Sequence, residues 1–195
     1  MKYLIIAIFF ISPVLLADGR TLNKALITSF YAVTEKIERL EDKYPTIFSQ
    51  TDNYSMADQD KAIRLMEKSS AYPEVMKALS SSEFKSLAEV YDVSTRLMGG
   101  MFFVQMKKMP AGMDFDAMEK TLENSIKSMK DSGAPAAMIA GLEETLNENR
   151  AQSKDMAFAM AKASEADKKF IADNIDWLMS IIPDDGGEGS FDGAY

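Results

Sequence analysis

Five methionines fall within residues 98–113, in the run MGGMFFVQMKKMPAGM, and Met118 follows. Thioether sulfur is a soft, neutral ligand that binds without losing a proton, so such a cluster points to Cu(I) or Ag(I). Met98 and Met101 stand three residues apart, and so do Met106 and Met109. On a helix each pair would present two sulfurs on one face. Met98, Met101, Met106, Met109 and Met113 therefore form the candidate metal set.

Other chemistries are limited by what the chain lacks. It has no histidine and no cysteine. That removes the side chain that titrates near neutrality, His- and Cys-based zinc sites, and nucleophilic systems built on Ser-His or Cys-His pairs. Carboxylates occur in neighbouring pairs: Glu143 with Glu144, Asp114 with Asp116, Asp184 with Asp185. Acid–base catalysis needs two carboxyls in unlike environments, and adjacent acids on helices are read instead as a solvated face. Glu119 and Glu123 could reach one cation together, but Lys120 and Lys127 suit ordinary ion pairing. The acids after Pro183 lack the alternation of a calcium loop. No phosphate-binding glycine loop, dinucleotide fingerprint or nucleophile elbow is present. No cofactor is expected, and no enzymatic activity.

The methionines must be positioned by a helix predicted over residues 83–109, capped by Ser80–Ser82 and ended by Pro110 and Gly112. At about 100° per residue, Phe84, Leu87, Val90, Tyr91 and Leu97 share one broad face. Met98, Met101, Phe102, Met106 and Met109 continue it, while Lys85, Glu89, Asp92, Arg96 and Lys107 gather opposite. Core packing is therefore the first reading of the cluster, since methionine is an adaptable filler. A hydrophobic partner surface comes second and a soft-metal site third. Gly99 and Gly100 keep the partner reading open, because mid-helix glycine costs about 1 kcal/mol each and invites a bend or a close backbone approach. Phe103 falls among the polar residues of the wheel and reads as an exposed aromatic. The candidate binding residues are Met98, Met101, Phe102, Phe103, Met106, Met109 and Met113.

Nearly every other segment also carries helical spacing. A first helix is predicted over residues 22–44, stopped by Pro45, with a loop over 46–54. Ser55 and Asp58 resemble a capping box opening a helix over 56–69. Pro73 opens a short helix. Asp114 caps a helix over 115–131 with Met118, Leu122, Ile126 and Met129 inward, Gly133 ends it, and Pro135 starts a helix reaching about Ala163. That helix keeps a heptad seam whose middle, Asn149 and Ser153, is polar and reads as a solvent-facing turn. Ser164 and Asp167 cap a last helix running to Ile182, with Trp177 at the edge of its apolar face. The fold expected is an all-α bundle of about five or six helices, ending in a disordered acidic, glycine-rich tail over residues 183–195.

Residues 1–17 pair a basic start with an apolar stretch too short to span a bilayer, and they read as a signal peptide cut after Ala17. Residues 18–182 then form one domain. The formal charge is −8, one unit more negative without Lys2. Such a balance disfavours nucleic acid and anionic membrane surfaces. The sequence thus predicts a periplasmic or secreted helical protein without catalytic activity. It would bind an envelope protein or an apolar ligand through its Met- and Phe-rich helix, or act as a structural or chaperone-like factor. The alternative is Cu(I)/Ag(I) binding.

Overall fold

The computed structural model describes residues 20–110 and 115–182. The expected leader, Met113, the Asp114 cap and the acidic tail lie outside them. The described residues are helical throughout, with no strand. They form α1 (Lys24–Glu38), α2 (Pro45–Asp52), a 3₁₀ turn (Met56–Asp58), α3 (Gln59–Glu67), α4 (Tyr72–Ser80), α5 (Leu87–Lys108), α6 (Phe115–Asp131), α7 (Ala136–Lys162), α8 (Glu165–Asp173) and α9 (Ile175–Ile181). That is nine α-helices among the described residues where the spacing suggested five or six.

The extra helices come from breaks that apolar periodicity does not register. α1 starts on Asn23, whose side chain accepts the Leu26 N–H at 3.0 Å, and it ends at Glu38. Tight turns carry the chain to Tyr44. Pro45 does not stop a helix; it begins one, because a missing N–H costs nothing in the first turn. Residues 46–52, predicted as loop, are therefore helical. The turn is held to α4: Lys43 Nζ and Tyr44 Oη both donate to Glu74 Oε1, at 2.5 and 2.7 Å. At the other end of the chain Asn174 separates α8 from α9. Its side-chain amide donates to the Phe170 carbonyl at 2.8 Å, offering the backbone an alternative to helix continuation.

α5 is the axis of the molecule. α7 and α8 pack along one side of it, and α1 and α3 contact the other. Buried Val90, Val93, Leu97, Gly100 and Val104 share one face of it, and buried Thr95, Arg96 and Gly99 lie beyond that face, so α5 is covered on more than one side. Buried Leu26, Ile27, Val75, Leu79, Ile171 and Leu178 extend the same core through α1, α4, α8 and α9. Trp177 is half-buried against it, with Lys24 Nζ 4.9 Å from the ring centre. A Cβ built on Gly99 would sit 2.0 Å from the Ala159 carbonyl oxygen of α7, so the glycine is what lets the two backbones meet. Gly99 meets α7 near its C-terminal end, whereas Met109 lines one groove with Thr145 and Asn149, earlier in α7. The two helices are accordingly antiparallel.

α6 and the first half of α7 form a hairpin that stands away from this core, with α7 as the main neighbour of α6. Gly133, at φ 70°, makes the turn. The Ala134 N–H reaches the Met129 carbonyl at 3.0 Å and the Gly133 N–H reaches Lys130 at 3.2 Å, closing α6 in a Schellman-type end. Only Ile126 of α6 and Leu146 of facing α7 are buried between them. Met118, expected inward, is exposed, while Leu122 and Met129 are half-buried.

Candidate functional site

A buried ionic node fixes where α5 lies. Ser164 and Asp167 form the expected capping box: the Asp167 N–H donates to Ser164 Oγ at 3.1 Å, and the Ser164 N–H donates back to Asp167 Oδ2 at 3.1 Å. The carboxylate does more than cap. Arg96 donates to it twice, from Nε at 3.0 Å and Nη2 at 2.9 Å, and the Leu22 N–H donates at 2.8 Å. Arg96 also reaches the Arg20 carbonyl at 2.7 Å and Asp92 at 3.1 Å. Arg96 is 8 % exposed and Asp167 0 %, so the charged side of α5, set opposite its apolar face by the wheel, is itself covered at Arg96. A wheel sorts α5 by residue type, and it cannot show that α8 covers this side. Burial alone would push the Asp167 carboxyl up, but the donors from Arg96, Leu22 and Ser164 outweigh it and hold it below its ordinary value. For Arg96 burial opposes the charge, and the two carboxylates more than restore it.

Around this fixed axis the candidate binding residues disperse. Met101 packs against the core, and Phe102 and Met106 are half-buried. Phe103, predicted exposed, is half-buried, with Lys107 Nζ 4.4 Å and Lys168 Nζ 5.0 Å from its ring centre. Met98 and Met109 are exposed at opposite ends of the run, about 16 Å apart along the helix axis. Met98 lines a small recess with Tyr54, Met56 and Tyr91. Met109 lines a different and larger space. The five thioethers named from spacing thus do not share one recess, and Met113 lies outside the described residues.

The larger space is an open groove of about 670 Å³ between the end of α5 and the hairpin. Met109, Ala117, Met118 and Leu122 give it apolar walls, and Thr121, Thr145 and Asn149 add hydroxyl and amide groups. Asn149, in the polar middle of the α7 seam, is half-buried and lines this open groove. The opposite side of the hairpin is charged. Arg150 donates to Glu119 at 2.8 Å and to Glu123 at 2.6 Å, and Lys130 pairs with Glu143 at 2.6 Å. The two glutamates do share one cation, but it is Arg150 of α7 and not Lys120 or Lys127. These pairs are solvent-exposed and screened, so they serve register more than stability.

The groove would have been hard to find from spacing, because its walls come from three helices. One signal was present, the choice of methionine. Among the described residues the exposed large apolar side chains are Tyr54 and five methionines: Met98, Met109, Met118, Met138 and Met179. No group of three or more acidic side chains among the described residues is arranged to hold a metal ion. No helix among them is long and apolar enough to cross a membrane. The chain matches no family model, and no curated protein or solved structure matches it.

Proposed function

We propose that the protein is an exported, non-catalytic binding protein whose working surface is the methionine-lined groove between α5 and the α6–α7 hairpin. Its partner is an apolar helical segment of another envelope protein. One observation carries this reading: Met109, Met118 and Leu122 converge from two helices on an open, largely apolar groove of about 670 Å³. A groove of that kind takes the apolar face of an amphipathic helix. Methionine walls fit several such faces, since an unbranched thioether adapts its shape. The charged outer side of the hairpin keeps it soluble while the inner side remains available.

The test is co-isolation from an envelope fraction with wild-type protein and with the separate variants Met118→Glu and Leu122→Glu. Both positions lie off the main core, and an unchanged circular dichroism spectrum checks that each variant keeps the helical fold. A discrete partner held by wild type and lost from both variants supports the reading. Equal retention by all three, or a monodisperse protein that holds nothing, defeats it.

The soft-metal reading keeps one supporting observation, that the Met109 and Met118 side chains line the same groove and are exposed. Titration with Cu(I) against a competing chelator decides it. Competition lost in a Met109→Leu, Met118→Leu double variant supports a thioether site, and no competition by wild type removes it.

A further inference from the structure

Two adjoining recesses open along the first half of α5, whereas the methionine groove lies at its end. The first, about 190 Å³, lies between α1, α2, α3 and α5, with Phe30, Phe48, Met66 and Val90 in its apolar floor. The second, about 120 Å³, lies beside the 3₁₀ turn and contains Met98. Thr51, Tyr91 and Ser94 belong to both, so they form the partition between them. Glu38, the last residue of α1, and Asp52, the last residue of α2, stand at the rim of the first recess.

The charge of this site is one-sided. No lysine or arginine lines either recess. Among the cations on neighbouring elements, Arg39 pairs with Glu35, Lys43 with Glu74 and Lys61 with Asp58. Glu38 and Asp52 make no ion pair or side-chain hydrogen bond among the described residues. The Tyr91 hydroxyl likewise has no protein partner there. Burial, and then the Asp52 charge, raise the Tyr91 pKa, so the ring keeps its proton and offers a neutral donor and acceptor. The charges that line the recess with Tyr91 are the two rim carboxylates, Glu38 and Asp52. An apolar floor, a neutral hydroxyl and two carboxylates without counter-ions are complementary to one ligand class.

We infer that this cleft binds a small organic amine, its apolar body against Phe30, Phe48 and Val90 and its ammonium between Glu38 and Asp52. A volume of about 190 Å³ admits a body the size of one aromatic ring on a short chain. The site is separate from the methionine groove, and either can fail without the other.

The test uses 2-phenylethylamine, with 2-phenylethanol and phenylacetate as its neutral and anionic analogues, titrated into the full ¹⁵N-labelled chain. The expected result is shift changes centred on residues 91 and 94 and a Kd for the amine about five- to tenfold below that of the alcohol. That ratio is the scale of two partly exposed ion pairs. Phenylacetate binds weakest. In the Glu38→Gln, Asp52→Asn double variant the preference for amine over alcohol disappears while the alcohol binds as before. Both positions are exposed, and an unchanged spectrum of the unliganded variant confirms its fold. Equal affinity for amine and alcohol overturns the inference. So do shifts centred elsewhere, a preference that survives the double variant, or no binding of the amine.

Discussion

Asp167 serves three elements at once: it caps α8, anchors the chain at Leu22 and neutralises Arg96 on α5. Asp167→Ala leaves a buried guanidinium without its main counter-ion and is expected to cost about 3–5 kcal/mol, measured by denaturant unfolding. Because the folded-state pKa is lowered, the contribution is complete above the ordinary carboxylate value. It is lost as the pH falls below about 4 and through the lower folded value. Wild-type stability therefore falls over that acidic range, and Asp167→Asn lacks that part of the slope. Gly99→Ala tests the second constrained residue. Its methyl would meet α7 backbone at Ala159, so overpacking of about 1–3 kcal/mol exceeds the helix-propensity gain of about 1 kcal/mol, and the Tm falls. Half of the node was legible: Ser164 and Asp167 announce a cap through local spacing. Arg96 lies 71 positions away, and nothing local distinguishes an arginine that will be buried from one that faces water.

At the scale of elements, the α6–α7 hairpin differs from the rest. It rests on few buried apolar side chains, Ile126 and Leu146, and helices so lightly packed open locally at small cost. Hydrogen exchange should accordingly be faster in α6 and the first half of α7 than in α5. Leu146→Ala should speed exchange within the hairpin alone. Ile171→Ala, in the main core, should lower global stability by about 2–4 kcal/mol. Uniform exchange rates across hairpin and core would contradict this division. The hairpin was also the most legible element. Gly133 and Pro135 mark its turn by chemistry that tertiary packing does not override, and the predicted 115–131 helix is the observed one. The α1–α2 and α8–α9 breaks were not legible, because Pro45 reads equally as a stop or a start. An asparagine at 174 interrupts a helix only when its side chain turns back onto the backbone.

The molecule as a whole is a helical core around α5 with two recessed faces of opposite character. One is a methionine groove under a light hairpin; the other is a small cleft with unpaired carboxylates. All-helical architecture followed from periodicity, yet the groove did not, since periodicity describes one helix and a groove needs two or three. The methionine run that looked like one site divides accordingly. Met101 packs on the core, Met98 turns to the second recess beside the 3₁₀ turn and Met109 turns to the groove. The central claim is that the groove is a binding surface, and site-specific photocrosslinking tests it most directly. A photoreactive side chain is placed at position 118, inside the groove, or at position 120, on the exposed surface of the same helix. The account predicts a discrete adduct from position 118 in the envelope fraction, abolished by Leu122→Glu, and none from position 120. Equal labelling from both positions, or no adduct from position 118, would contradict it.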